Sequence, residues 1–336
     1  MLMIDYLTAL GDLFMPRACL ACGCRLGMRE RHLCLSCAAD VPYTRFWLQS
    51  HNPLADRFNA VLERHRGTEP MDYAYAVALM YYKGAYRAIP RALKYHGDLA
   101  AGRHFGALLG RRLAVAPHFA DIDLVIPVPL HWTRRRSRGY NQAALLAQSL
   151  VDAFRSAKHP LAAGHDASVP SIPIEPVPPG LTGSLPLCRT DLLVRARRTR
   201  TQTRLSVEQK ARNVASAFRV PERFPLWKRL ITQLSRLFSP RLSRLFKRWP
   251  IGVGHDGARS EPIRRHSGLE SFRHSGPDPE SPATVLASAH HILLVDDTYT
   301  TGATLYACYA ALRPYTSARI SVATLAAVEG TPSGGP

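Results

Sequence analysis

Between His290 and Leu305 the chain reads HHILLVDDTYTTGATL. The apolar run Ile292 to Val295 predicts a strand buried on both faces, with Asp296 and Asp297 at its C-terminal end. A short Thr, Tyr and Gly loop follows and opens into a helix at Thr304. In open parallel sheets, ligands bind in the crevice outside the carboxyl ends of the strands. A helix N-terminus offers free backbone N–H groups and a positive dipole end, which suit a phosphate. Gly302 lets the backbone approach closely, and the hydroxyls of Thr298, Thr300, Thr301 and Thr304 add neutral donors. The carboxylates would repel a phosphate placed directly on them, so they suit sugar hydroxyls or a bound Mg²⁺. The layout is that of a ribose-phosphate cradle, with carboxylates for the diol and the loop for a 5-phosphate.

Further clusters carry chemistry of their own. LVIPVPLHWTRRRSRGYNQAALLA, Leu124 to Ala147, reads as a strand, a basic loop and a helix start. Arg134, Arg135, Arg136 and Arg138 of that loop offer guanidinium forks for bidentate contacts to a pyrophosphate, and Gly139 and Asn141 allow a tight entry into the helix. A second basic loop lies in Leu192 to Phe218, between a short strand at Leu192–Val194 and a helix from about Val207 with Ser206 as N-cap; such a loop could close over a pyrophosphate and exclude water. Cys19-Leu-Ala-Cys22 and Cys34-Leu-Ser-Cys37 form paired CxxC knuckles, whose thiolates can close a tetrahedral Zn²⁺ site through Cys19, Cys22, Cys34 and Cys37. Cys24 is a further thiol able to substitute at the first knuckle. Such a site would stabilise a module too small for its own core, with no catalysis there.

The elements that must position these groups can be read along the chain. Residues 1–45 form the cysteine-bearing module, opening with helical apolar spacing at Ile4, Leu7, Leu10, Leu13 and Phe14. A polar connection runs from His51 to Thr68. From there an α/β domain extends over residues 70–330: strands at Ala76–Tyr82, Leu124–Val128, Ile292–Val295 and Ile320–Val328, and helices at Leu99–Leu113, Asn141–Phe154 and Thr304–Leu312, the last stopped by Arg313-Pro314. Short apolar runs alternating with helical stretches predict a mainly parallel sheet flanked by helices. A Pro-rich stretch, 156–187, and a basic stretch, 221–290, interrupt this order. The second carries the repeats SRLF and RHSG and reads as a mostly disordered insertion. Its SRLFSPRLSRLFKRW portion has the composition of a basic amphipathic helix for an anionic surface, broken at Ser239-Pro240.

The chain has 336 residues, 46% of them apolar, enough for one substantial core and a small extra module. Lys and Arg total 44 against 25 acids, a net charge of +19 that suits an anionic partner: phosphorylated metabolite, nucleic acid or membrane surface. Clustered, paired cysteines favour metal over a secreted disulfide scaffold. The N-terminus lacks a basic n-region, and no stretch is apolar for long enough to span a bilayer, so a cytoplasmic protein is expected.

The Asp296–Thr304 stretch resembles the phosphoribosyl-pyrophosphate motif of the type I phosphoribosyltransferases. Together with MYYKGAYRAIPRALKYHGD, the Leu124–Ala147 stretch and TRTQTRLSVEQKARNV, it resembles the ComF family of competence-associated phosphoribosyltransferase-like proteins. The resemblance covers residues 15–45, 71–155, 190–220 and 290–328. It implies a type I phosphoribosyltransferase-like fold with an N-terminal zinc ribbon, and transfer of a phosphoribosyl group from phosphoribosyl pyrophosphate with Mg²⁺. Asp296 and Asp297 would hold the diol and stabilise the cationic ring. It also implies a link to DNA uptake, with single-stranded DNA or competence proteins as further partners. A sensor that binds phosphoribosyl pyrophosphate without transferring it would carry the same motif.

Overall fold

The computed structural model describes residues 16–65, 72–158, 185–196, 217–222 and 281–330 of the chain. The elements run α1 Leu35–Ala39, α2 Pro53–Arg64, β1 Ala76–Tyr81, α3 Ala88–Arg91, α4 Leu99–Ala114, β2 Leu124–Pro127, α5 Trp132–Arg138, α6 Gln142–Lys158, β3 Leu187–Cys188, β4 Val194–Arg195, β5 Phe218–Arg219, α7 Pro282–Ser288, β6 His291–Tyr299, α8 Ala303–Leu312 and β7 Arg319–Ala327. A π-helical turn, Ala92–His96, continues α3.

Five parallel strands form the main sheet in the order β1-β7-β6-β2-β3. β4 and β5 make a separate antiparallel pair. β6 is central, so its residues His291 to Val295 are buried, as are nearly all of β7. Helices α4 and α6 pack together and α6 lies on β6 and β2, while α2 packs on β1 and meets α8, where the rings of Phe58 and Tyr309 make an edge contact, 6.2 Å between centroids. The α/β architecture with a parallel sheet and flanking helices therefore stands as expected from the alternating apolar runs. No helix among the described residues is long and apolar enough to cross a membrane.

The α4–α6 contact depends on glycine. Gly102, Gly106 and Gly110 recur every fourth residue, so they share one face of α4. A Cβ at Gly106 would stand 2.9 Å from the Leu146 carbonyl oxygen, and one at Gly110 would meet the Leu150 backbone closer still. The bare helix surface lets α6 approach, and Phe105, Leu109, Leu146 and Leu150 close the core around it.

Several elements depart from the sequence expectations. The stretch read as a polar connection from His51 holds α2. Asn52 caps it by accepting from the N–H groups of Leu54 and Ala55, Pro53 occupies the first turn, and Leu54, Phe58 and Leu62 bury one face. The expected insertion is ordered at its end, since Ser281 caps α7 and Leu286 of that helix is fully buried. Leu187–Cys188, at the edge of the Pro-rich stretch, joins the sheet beside β2. The short strand expected at Leu192–Val194 lies at Val194–Arg195. The end of the cysteine-bearing stretch joins the sheet: Pro42 and Thr44 bond the outer edge of β1, and Val41, Phe46 and Trp47 enter the common core. The helix read at Ile4–Phe14, most of the Pro-rich stretch (159–184), the basic loop with its Ser206 cap (197–216) and most of the insertion (223–280) lie outside the described residues.

Candidate functional site

The acidic pair sits inside β6 and not after it. Pairing with β7 continues past Val295, through Asp296 opposite Thr324 and Thr298 opposite Ala326, to Tyr299 opposite Ala327. Backbone pairing is indifferent to the change from apolar to acidic side chains, which is why the strand outlasts its hydrophobic run. Successive strand residues point to opposite faces, and the neighbours follow that rule. Asp296 faces the side of Cys308 on α8 and Arg195 on β4. Asp297 faces Lys94, whose ammonium lies 3.0 Å from Asp297 Oδ1 and donates to Thr298 Oγ1 at 3.1 Å.

The carboxyls therefore differ. Burial, then the charge of Asp297 beside it, pushes Asp296 up to about 7, against the pull of the Asp297 N–H, which it accepts at 2.8 Å, and of Lys94 and Arg195. Asp297, its side chain 13% exposed, already has a cationic partner in Lys94.

Thr300, Thr301 and Gly302 make the turn from β6 into α8. Gly302 is the N-cap with φ 77°, in the left-handed region, and a Cβ there would lie 2.5 Å from the Tyr299 hydroxyl. Both facts require glycine. Thr301 Oγ1 accepts from the Ala303 N–H at 3.5 Å, and Thr304 falls in the first turn of the helix. From α2, Arg57 donates to the carbonyls of Thr300 at 2.9 Å and Val328 at 2.8 Å, with its guanidinium 5.3 Å from the centre of the Tyr299 ring. It ties the turn to the carboxyl edge of β7. Asp296, Asp297, Thr298, Thr300, Thr301, Gly302 and Thr304 thus lie on one continuous strand–turn–helix segment at the carboxyl edge of the sheet.

The arginine cluster is a helix where a loop was expected. His131 caps α5 by accepting from the Thr133 N–H, and Gly139 ends it at φ 78°. Helical geometry splits the four arginines. Arg134 and Arg138, one turn apart, are partly buried, while Arg135 and Arg136 are exposed with Trp132. Arg138 donates to Gln142 at 3.2 Å and lies over the Tyr95 ring at 5.8 Å. Arg134 lies close enough to Arg195 to help burial lower the pKa of that guanidinium. Asn141 caps α6 through the Ala143 N–H at 3.1 Å, as expected.

Sequence reasoning passed over Lys94, Arg57 and Arg195. Lys94 stands within a quoted segment without a role, Arg57 within the misread connection, and Arg195 as one basic residue of a loop. For Arg57 the signal was present, since Asn52-Pro53 before Leu54, Phe58 and Leu62 is a helix start followed by an apolar face.

The second site is the cysteine cluster. The sulfurs of Cys19, Cys22, Cys24 and Cys34 all lie within 4.8 Å of one another. Cys22 and Cys34 are 3.8 Å apart, the edge of a tetrahedron with Zn–S bonds of about 2.3 Å. Cys37 lies beside them, its thiol meeting Cys22, Cys34 and Cys19. Gly23 turns the first knuckle at φ 76°, with the Cys19 N–H on Cys24 O at 2.8 Å. The Cys24 N–H, then the thiols of Cys24, Cys19 and Cys37, bring Cys22 down to about 6, while donation to Cys22 and Cys34 pushes Cys24 up to about 12. This cluster could hold a metal such as zinc, and it offers five thiols for four positions.

No family model matches the chain, and no curated protein matches it.

Proposed function

We propose that the chain binds phosphoribosyl pyrophosphate at Asp296–Thr304 and transfers its phosphoribosyl group to an acceptor. The observation that carries this reading is the continuity of the segment: a buried parallel strand carries paired acids near its carboxyl end and runs, through a turn that only glycine can make, into a helix N-terminus. The turn and the first N–H groups of α8 would hold the 5-phosphate. Asp296 and Asp297, reaching the carboxyl edge from the two faces of β6, would accept from the ribose hydroxyls and stabilise positive charge on the ring as C1 loses pyrophosphate. Arg134 and Arg138 on α5, with Arg195, supply cations for the leaving diphosphate. The hard oxygens of Asp297 and Thr298 are of the kind Mg²⁺ accepts. Mg²⁺ bound with the diphosphate would neutralise its charge. The cysteine cluster is read as a structural zinc site that fixes the N-terminal knuckles.

Calorimetric titration tests the binding step. Phosphoribosyl pyrophosphate with Mg²⁺ should bind more tightly than pyrophosphate or ribose 5-phosphate alone; equal affinity for pyrophosphate would remove the ribose cradle from the account. Release of pyrophosphate in the presence of free bases or amines separates a transferase from a sensor that only binds.

A second reading has its own observation. Tyr95 and Trp132 are 72% and 66% exposed beside Arg135, Arg136 and Arg138. Exposed aromatics among guanidinium groups suit stacked bases and a phosphate backbone, the pattern of a single-stranded nucleic-acid platform. Its mark would be binding of single-stranded DNA that weakens steeply with salt and with Trp132→Ala.

A further inference from the structure

Lys94 reaches the acidic pair from a backbone irregularity. The turn Ala92–His96 is π-helical, closed by the Gly97 N–H on Ala92 O, with Gly97 at φ 64°. π turns are rare and concentrate at functional sites. This one is fixed from outside, since the Tyr140 hydroxyl donates to Leu93 O at 2.5 Å and the Asp98 N–H bonds Ala92 O at 3.3 Å. The result is an ammonium held on Asp297 Oδ1 and Thr298 Oγ1 together, with the Lys94 side chain 25% and that of Asp297 13% exposed. Carboxylate and hydroxyl oxygen at hydrogen-bonding distance are the ligands a divalent ion would take from this strand.

We propose that Lys94 is the resident cation of the acidic pair and keeps free divalent metal off it. With Lys94 in place, the Asp297 carboxylate already has its cationic partner at 3.0 Å. A free divalent ion would have to displace the Lys94 ammonium from Asp297 and Thr298 and leave it unpaired beside a second cation, whereas an ion arriving with an anionic diphosphate gives that ammonium a new partner. The metal therefore enters complexed to an anionic diphosphate, and Lys94 turns from Asp297 to the phosphate oxygens of that complex. This last consequence rests on the ribose-phosphate reading of the site; the exclusion of free metal rests on the charge balance alone.

Mn²⁺, a paramagnetic stand-in for Mg²⁺, tests the proposal on the full, zinc-loaded chain by counting bound ions without other ligand. The wild-type protein should show no Mn²⁺ uptake that Asp297→Asn abolishes. Lys94→Met should gain one such ion per chain, at least about tenfold tighter than the wild type, the scale of one charge-assisted hydrogen bond. The double variant Lys94→Met, Asp297→Asn should lose it again, and Lys94→Arg should exclude the ion as the wild type does. Far-ultraviolet circular dichroism and thermal midpoint qualify each variant as folded. Wild-type uptake as tight as that of Lys94→Met, or a folded Lys94→Met with no uptake, would overturn the proposal. If Lys94→Met gains the ion while the wild type binds no phosphoribosyl pyrophosphate, the resident-cation role is supported and only the ligand reading falls.

Discussion

Asp296 and Asp297 look equivalent as letters, but only Asp297 is paired with Lys94 at 3.0 Å, while burial dominates at Asp296, which feels Lys94, Arg195 and the Asp297 carboxylate only through their charge. This difference has a pH consequence. Asp296 is pushed up to about 7, so the carboxylate that would accept from a ribose hydroxyl is formed only as pH rises through that value. If binding selects the ionised form, affinity should fall by about tenfold between pH 8 and pH 6, following one linked proton. Calorimetry at both values checks it, and Asp296→Asn should flatten the difference. At the far end of β6 the sign for stability is set by other groups. Buried His291 bonds Asp121 at 2.7 Å and Ser321 at 2.8 Å. Burial holds its pKa below the ordinary value despite Asp121, so the unfolded chain takes its proton first and stability drops as pH falls below about 6.5. Asp121, brought down to about 2 against its burial by His291 and Arg319, adds a further loss as pH falls from about 4 toward 2. Urea midpoints measured from pH 7 to pH 4 should decline, and His291→Gln should weaken the part near pH 6.

At the scale of elements, the sheet was legible because each strand carries its own apolar run, and the α6 start was legible because Asn141 and Gly139 are capping residues. Partnerships between elements were not. The length of β6 is set by β7, and the helicity of Trp132–Arg138 by a histidine cap and a glycine stop around residues that read as a charged loop. The glycine face of α4 was invisible too, since its meaning appears only with α6 against it. That face predicts a substitution effect. Gly106→Val places side-chain carbons against the Leu146 carbonyl, and overpacking of this kind should destabilise the fold by about 1–3 kcal/mol. Urea unfolding would read the loss, while Gly84→Ala, with nothing near its Cβ, should cost less even though its φ of 52° is strained. In the site itself, Gly302→Ala meets both a positive φ and the Tyr299 hydroxyl, so it should weaken phosphate binding more than it lowers stability.

Across the whole molecule, the cysteine knuckles and the sheet share one core through Val41, Phe46 and Trp47, and Tyr86 donates to Cys37 O at 2.9 Å. Loss of metal should therefore be felt beyond the knuckles, as a lowered thermal midpoint of the sheet domain. The paired CxxC spacing gave Cys19, Cys22, Cys34 and Cys37 as the zinc set; the fold brings Cys24 as close as any of them. With five thiols for four positions, Cys24→Ser and Cys37→Ser should each keep about one zinc per chain by elemental analysis, and the double variant should lose it. Retention in the double variant would mean that fewer than four of these sulfurs suffice.

The central claim is that the β6–α8 junction is a ribose-phosphate site, and one titration bears on it most directly. Phosphoribosyl pyrophosphate with Mg²⁺ is titrated into the wild-type chain and into the combined Asp296→Asn, Asp297→Asn variant. Neither side chain belongs to the apolar core, so the variant should keep its circular dichroism and thermal midpoint. Charged hydrogen bonds are worth about 1.5–3 kcal/mol each, so losing two should lower affinity by more than about a hundredfold. Thr301→Val, at the phosphate end, should give a smaller loss. A folded double variant that binds with wild-type affinity would contradict the account and move the anion site to the arginines of α5.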